Sequence, residues 1–551
     1  MSTEFEVAFP TLLPEQVDAL GPWGTVRSAR AGEYLWRAGQ RGYGLFVVLS
    51  GSIEIIDPSG DTPHRVVVHT PGHFTGDVDV LTGRAGLVDG RMLEPGEVLE
   101  IAPDALRHVV GEVPDISDVL LRAFLMRRTL LLEQGYRGIR IVGSRFSPQA
   151  RHLREFASRN AIPYTWVDLD DDPAAEELVQ TFGVRPDQLP IVIGRDGKWA
   201  SNPSVAELAR YMGLSAHVEQ GEVYDLVVVG AGPAGLAASV YASSEGLRVL
   251  TVDGVAAGGQ AATSSKIENY LGFPTGVSGA ELAGNALLQA QKFGARISVP
   301  QKAVRLKLTG GLRSVVLDDG TEIAARAVLV ASGAEYRSID APGMEGLQGA
   351  GIYFAATDME ARLCKGDEVV VVGGGNSAGQ AAMFLSRHAR RVHVAIRGRD
   401  LGKSMSRYLV DRVERTPNVR VHRCTEVSRV EGERALERLT LRDCDTGAEK
   451  TVECRALFLF IGARPRTEWL KDCVALDRSG FVLTGDAVPA EARASRAWQE
   501  VGRAPGFLET SQPGVFAAGD VRSGSVKRVA SAVGEGSMAV SLVHAHIGET
   551  H

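Results

Sequence analysis

Apolar and polar positions alternate in three different ways along the chain. From about residue 12 to 113, short runs rich in Val, Ile and Leu are separated by glycine turns. The runs are Tyr43–Leu49, Ser52–Asp57, Arg65–His69 and Val98–Ile101, with Ser50-Gly51 and Pro58-Ser59-Gly60 between them. Many short strands at near-even spacing predict a β-roll, a small barrel or jelly roll. A helix-patterned run, Ile116–Gln134, follows and stops at Gly135. From Ile139 to about Leu214 the pattern switches between strand and helix. Strands are expected at Ile139–Gly143, Tyr164–Asp168 and Pro190–Ile193, and helices at Pro148–Arg159, Pro173–Phe182 and Ser204–Met212. That order predicts a small βαβ-ββα sandwich. The polar stretch Ala216–Glu222 leads out of it. From Tyr224 to about Ile547 two strand–glycine loop–helix units occur, too far apart to share one ligand, so two dinucleotides are expected.

Length and charge narrow the picture. At about 150 residues per domain, 551 residues imply three to four domains. Lys+Arg 60 against Asp+Glu 67 leaves a net charge of −7, without a basic block, so neither nucleic acid nor an anionic membrane is an expected partner. Acidic residues among the first twenty do not suit a signal peptide, and no run approaches the roughly 18 apolar residues that span a bilayer. The expected setting is the cytoplasm. Five cysteines, Cys364, Cys424, Cys444, Cys454 and Cys473, include no Cys-x-x-Cys pair. That spacing argues against a disulfide scaffold, a zinc ribbon and a close-spaced dithiol, and no metal site is expected.

Two loops carry the chemistry. In Leu226-Val-Val-Val-Gly230-Ala-Gly232-Pro233-Ala234-Gly235, a strand ends at Gly230, which makes the tight turn. Gly232 lets the backbone approach a pyrophosphate, and Gly235 lets the helix pack close. Asp253 ends the next strand, Arg248–Asp253, where an acid would hold a ribose hydroxyl. The second loop is Glu368-Val-Val-Val-Val-Gly373-Gly-Gly375-Asn376-Ser377-Ala378, with Ala378 in the third glycine's place. Its second strand ends at Arg397-Gly398-Arg399, where arginine favours the 2′-phosphate of NADPH; the other reading is two solvated surface charges. Near the C-terminus, Gly514-Val-Phe-Ala-Ala-Gly519-Asp520 joins a short strand to a glycine-aspartate turn. Lys527-Arg528-Val529-Ala530 and a helix expected over Ser531–Val540 follow.

From about Tyr224 onward the chain resembles the low-molecular-weight thioredoxin reductases, in which an NADPH domain is inserted into an FAD domain. The resemblance rests on both loops, Gly258-Gly259-Gln260, Ile267-Glu-Asn269-Tyr270, Ala331-Ser-Gly333, Phe460-Ile-Gly462 and Gly519-Asp520. It implies FAD contacts from Gly230, Gly232, Pro233, Ala234, Gly235, Asp253, Gly259, Gln260, Asn269, Gly333, Gly519, Asp520, Arg528, Val529 and Ala530. It implies NADPH contacts from Gly373, Gly375, Asn376, Ser377, Ala378, Arg397 and Arg399, and a homodimer. One departure matters. Where the family carries its redox Cys-x-x-Cys, this chain reads Ala355-Ala356-Thr357-Asp358. Alanine and aspartate form no disulfide. Asp358 is the candidate proton carrier over the flavin.

The first region resembles a cyclic-nucleotide-binding domain, through the spacing of Gly32, Gly39, Gly44, Gly51 and Gly72 and the run from Phe74 to Ala85, with Asp77 for the usual glutamate and Arg84 as candidate phosphate ligand. The second resembles a thioredoxin or glutaredoxin fold with Pro190 at the cis-proline position and Ser147 and Ala150 in place of the redox cysteines. The expected architecture is an α/β multidomain chain. It comprises a cyclic-nucleotide-binding-like β-roll at 1–135 and a degenerate thioredoxin-like sandwich at 138–215. The FAD domain is expected at 222–341 with 463–551, and the NADPH domain at 342–462. The expected function is NADPH oxidation through FAD toward a ferredoxin-like protein, a quinone, oxygen or an external disulfide. The alternative is an FAD-binding sensor or scaffold with little turnover.

Overall fold

The computed structural model describes residues 3–549 apart from 59–62, 134–137, 173–178, 180–182, 195–197, 216–220, 265, 310, 345–346, 348–349, 355, 357 and 434. It divides into two compact units. The first is Met1–Glu222, Ser239–Ala256 and Leu287–Lys302; the second is Val223–Ala238, Ala257–Ala286 and Ala303–His551.

The first unit opens with a β-roll of two antiparallel sheets. One orders Thr25–Ala29, Gly96–Ile101 and Leu45–Val48; the other orders Tyr34–Trp36, Asp89–Glu94, Ser52–Asp57 and His64–His69. The turn at Gly51 has φ +75°, and a Cβ there would collide with the carbonyls of Glu94 and Pro95, so only glycine fits. Between the sheets lie Trp36, Phe46, Val47, Ile53 and Phe74, all buried. Helix Pro114–Glu133 closes the roll with Ile116, Leu120, Ala123 and Phe124, one face at helical spacing, and Phe124 meets Phe74 edge-on at 6.2 Å.

The sandwich follows as expected at its described positions. Its sheet orders Trp199–Ser201, Ile191–Ile193, Ile139–Gly143 and Tyr164–Asp168, the last two parallel. Helices Pro148–Arg159 and Val205–Met212 pack Leu153, Phe156, Leu208 and Met212 onto Ile139 and Ile141. Ser204 caps the second helix in a capping box with Glu207 and is not its first residue. The Leu189–Pro190 bond is cis. Most of the expected helix Pro173–Phe182 and of the stretch Ala216–Glu222 lies outside the described residues. Arg41 Nη2 donates to Tyr211 O at 3.1 Å and Arg128 Nη2 to Ala161 O at 3.3 Å, which ties the roll to the sandwich.

In the second unit, strand Val223–Val229 runs parallel to the long strand Glu322–Val330. The first half of that long strand pairs with Leu312–Leu317, and its last three residues pair with Val515–Ala517. One strand therefore accepts the chain both before and after an inserted layer. That layer is an all-parallel sheet in the order Ile352–Tyr353, Ala456–Leu459, Glu368–Val372, Arg391–Ala395 and Val419–His422. Its central strands are continuous apolar runs because both faces are covered. The C-terminal helix runs Val529–Glu549, well beyond the expected Ser531–Val540. Its last turns are held by tertiary packing, with buried His546 edge-on to Phe516 at 6.3 Å.

Candidate active site

The first glycine loop is built as its spacing predicted. Gly230 has φ +111°, and a Cβ there would collide with Ala331 O; a Cβ on Gly235 would collide with Gly230 O. A Cβ on Gly232 would meet only Gly259 Cα, at 4.0 Å. The chain thus excludes side chains at the first and third glycines for its own packing, while the space before the second is open. That open cradle sits at the start of helix Pro233–Ser244, and the positive end of a helix dipole favours a phosphate. It fits a dinucleotide pyrophosphate.

Three distant segments reach the same loop. Gly258 N donates to Ala231 O at 2.7 Å, and a Cβ on Gly519 would lie 3.0 Å from the Ala234 methyl. Gln260 donates its side-chain amide to Ala334 O, beside Gly333. Asp520 follows in the turn Gly519–Val521, its carboxyl raised by burial against the opposing charge of Lys527. Arg528 and Ala530 are exposed around half-buried Val529, at the start of the last helix, and Asn269 is exposed. Asp253, in the first unit, accepts from Val255 N at 2.8 Å and Ala256 N at 3.1 Å, so it also braces its own turn.

Sequence reasoning missed Glu535. It accepts from Gly519 N at 2.7 Å and holds Arg522 through two hydrogen bonds of 3.2 and 2.5 Å, all largely buried. An acid set among small residues in the first turns of the last helix was the available signal. Glu535→Ala leaves the Arg522 charge and the Gly519 amide uncompensated, so a loss of about 3–5 kcal/mol is expected. Urea unfolding and flavin retention check it, and a variant as stable as wild type that keeps its flavin would refute the clamp.

The second loop repeats the logic. Gly373 has φ +144° and faces Phe460 O, whereas a Cβ on Gly375 would meet nothing within 4 Å. Helix Asn376–Leu385 starts there, with Ala378 buried and Ser377 exposed. Asn376 Oδ1 accepts from Ser406 N at 2.7 Å, which fixes the loop after the next strand. Arg397 and Arg399 are exposed at that strand's end, and Arg399 pairs with Asp445 at 3.1 Å. A further link unread in the sequence joins Glu268, inside the Ile267–Tyr270 motif, to Arg412 at 2.5 Å.

Asp358 begins helix Asp358–Leu363, but its side chain, Ala355 and Thr357 lie outside the described residues. All five thiols sit above their ordinary range. Burial pushes Cys364 to about 11 and Cys454 to about 12, and Cys424, Cys444 and Cys473 are raised as well. Cys364 Sγ donates to Glu360 O at 3.1 Å. The fold does bring two cysteines together that spacing kept apart: Cys444 N donates to Cys424 O at 2.6 Å where the hairpin begins. Among the described residues no group of three His, Cys, Asp or Glu is placed to hold a metal, and no helix is long and apolar enough to cross a membrane.

Two open glycine cradles, one in a split sheet and one in an inserted parallel sheet, define a flavoprotein that binds two dinucleotides. Residues 224–536 match the pyridine nucleotide-disulphide oxidoreductase model, and the chain belongs to that family. Residues 26–112 match the cyclic nucleotide-binding domain model. Among its relatives, the thioredoxin reductase of Streptomyces clavuligerus is 34% identical over 319 residues, 58% of this chain and 92% of that protein. The "34.2 kDa protein in rubredoxin operon" of Clostridium pasteurianum is 30% identical over 324 residues, 59% of this chain and 97% of that one. The thioredoxin reductase structure from T. acidophilum superposes with a TM-score of 0.52 at 30% identity, covering 59% of this chain and 99% of that one. The chain is an FAD-dependent, NADPH-using oxidoreductase of the thioredoxin reductase type, extended by an N-terminal cyclic-nucleotide-binding-like domain.

Proposed function

We propose that this chain carries electrons from NADPH through FAD to an acceptor outside its own polypeptide and without an internal dithiol. The observation that carries the reading is the cysteine inventory: Ala355 and Asp358 occupy the family's relay positions, and each of the five thiols present is held toward its protonated form. A disulfide relay needs a thiolate, so no cysteine here is prepared for it. Bound FAD supplies the redox chemistry; the chain positions donor and acceptor and excludes side reactions. On this reading Gly230–Gly235, Gly259, Gln260 and the Gly519-Asp520 turn hold the flavin nucleotide, and Gly373–Ala378 hold the NADPH pyrophosphate. The acceptor classes are a ferredoxin-like protein, a quinone, oxygen and an external disulfide, met by a cytoplasmic homodimer. NADPH consumption by the purified holoprotein, measured with each acceptor in turn, tests it. Turnover with one of them is expected; no turnover with any would favour a flavin-binding sensor.

On the same reading Arg397 and Arg399, both exposed, grip the 2′-phosphate. Arg397→Ala should raise the KM for NADPH about tenfold and leave NADH nearly unchanged. Arg399→Ala should cost less, because Arg399 already shares its charge with Asp445. Steady-state kinetics with both nucleotides measure this, and equal wild-type rates with NADH and NADPH would remove the assignment.

A further inference from the structure

The β-roll and its flanking helices form a cavity that is partly open to solvent. Its walls are mainly apolar, with the rings of Phe9, Trp36 and Tyr43 facing aliphatic Ile55, Val67 and Leu87. Few polar side chains reach it, and most are engaged. Trp36 Nε1 donates to Val88 O at 2.8 Å. Arg127 lies against the rings of Phe9 and Phe74 and donates to Ala8 O, Gly76 O and Phe74 O at 2.7, 2.7 and 3.0 Å. Asp77 accepts from Asp79 N at 2.9 Å and lies 3.7 Å from Arg128.

His69 is the exception. It is 2% exposed, lines the cavity, and its Nδ1 has no hydrogen-bond partner. Burial beside Arg127 and His73 drives its pKa well below the ordinary value, so the ring is neutral and keeps one hydrogen bond unmade. A buried polar atom left in that state calls for a partner.

A cyclic phosphate would need a cation with donors to spare. Arg84, the expected phosphate ligand, is not among the residues lining the cavity; its backbone packs beside Gly213 of the sandwich. The Tyr43 ring lies so close to Gly86 that a Cβ there would come within 2.9 Å of it.

We infer that this cavity binds a small uncharged aromatic molecule carrying one hydrogen-bonding group, of the phenol or hydroxylated bicyclic class. Its ring packs among Phe9, Trp36 and Tyr43, where offset and edge contacts are available, and its polar group meets His69 Nδ1. The wall favours an uncharged group: among the described residues its cation, Arg127, spends three of its five N–H donors on backbone carbonyls, and its carboxylate, Asp77, already accepts from Asp79 N. The ligand would also touch helix Pro114–Glu133 through Arg127, next to Arg128 and its bond to the sandwich at Ala161.

The test is calorimetry on the full-length holoprotein with 2-naphthol as probe, and with 2-naphthoate and cyclic AMP as contrasts. One saturable 2-naphthol site is expected, with 2-naphthoate at least about tenfold weaker and no displacement by cyclic AMP. Leu87→Trp and Val67→Phe, which fill the cavity, should abolish binding. His69→Phe, which keeps the ring volume, should weaken it about 3- to 10-fold, the worth of one hydrogen bond. Far-UV circular dichroism that matches wild type shows that each variant is folded, and His69→Phe serves if the filled variants are not. No 2-naphthol binding by wild type, equal binding after His69→Phe and the filling substitutions, tighter binding of 2-naphthoate, or displacement by micromolar cyclic AMP would each overturn the proposal.

Discussion

Gly232→Leu is expected to give a folded but colourless protein. The expectation comes from the contrast between three glycines in one loop. Side chains at Gly230 and Gly235 collide with the chain's own carbonyls, so substitution there should damage the fold before any ligand is considered. At Gly232 the protein offers no obstacle: Gly259 Cα, at 4.0 Å, is the nearest heavy atom to an added Cβ, and the backbone is not in the left-handed region. The Cβ of a leucine there fits the empty chain, and the side chain beyond it would compete for the space a pyrophosphate needs beside the helix N-terminus. Far-UV circular dichroism should match wild type, and flavin should be absent after gel filtration even when FAD is added in excess. Wild-type flavin content in this variant would mean that the cradle holds something else.

Thioredoxin should remain oxidised when the wild-type protein turns over NADPH. The relay that would reduce it needs two sulfurs in bonding reach and one of them ionised. Ala355 and Asp358 supply no sulfur. Cys364, near in sequence, is 1% exposed, and with its pKa at about 11 only about one molecule in ten thousand is thiolate at pH 7. Ala355→Cys combined with Asp358→Cys should create measurable thioredoxin reduction, because position 358 opens a helix and a thiolate is favoured there. The assay is NADPH-dependent reduction of insulin through thioredoxin. Vigorous activity of the wild-type chain would show that a disulfide relay exists by another route.

Both results bear on what could be read in advance. The two cradles were legible because a phosphate loop is a local object: strand, three small residues and helix start follow one another, and each glycine has its own steric reason. The same locality made it plain that the sequence holds no Cys-x-x-Cys, a motif that spans four positions. Glu535 was not legible. Its value lies in reaching Gly519 and Arg522, and nothing in a helix of small residues says which side of it faces that turn. The meeting of Cys424 and Cys444 was hidden too, because a hairpin register is set by pairing across twenty positions and not by spacing.

The N-terminal roll shows the same division most sharply. By itself the sequence determined four of the described strands, the turn glycines such as Gly51 and the helix that closes the roll, because hydrophobic period and backbone sterics are local properties; the strands Thr25–Ala29, Tyr34–Trp36 and Asp89–Glu94 were not read from it. It also named the residues available for a cyclic nucleotide, Asp77 in the place of the ribose-holding glutamate and Arg84 for the phosphate. Only the tertiary structure decided that Arg84 is half-buried near the charges of Asp79 and Asp77, that Arg127 spends three donors on carbonyls, and that His69 is left with an unpartnered nitrogen among aromatic rings. A side chain's partners are fixed by the packing of segments far apart in the chain, and the chemistry of a site depends on which donors that packing leaves unused.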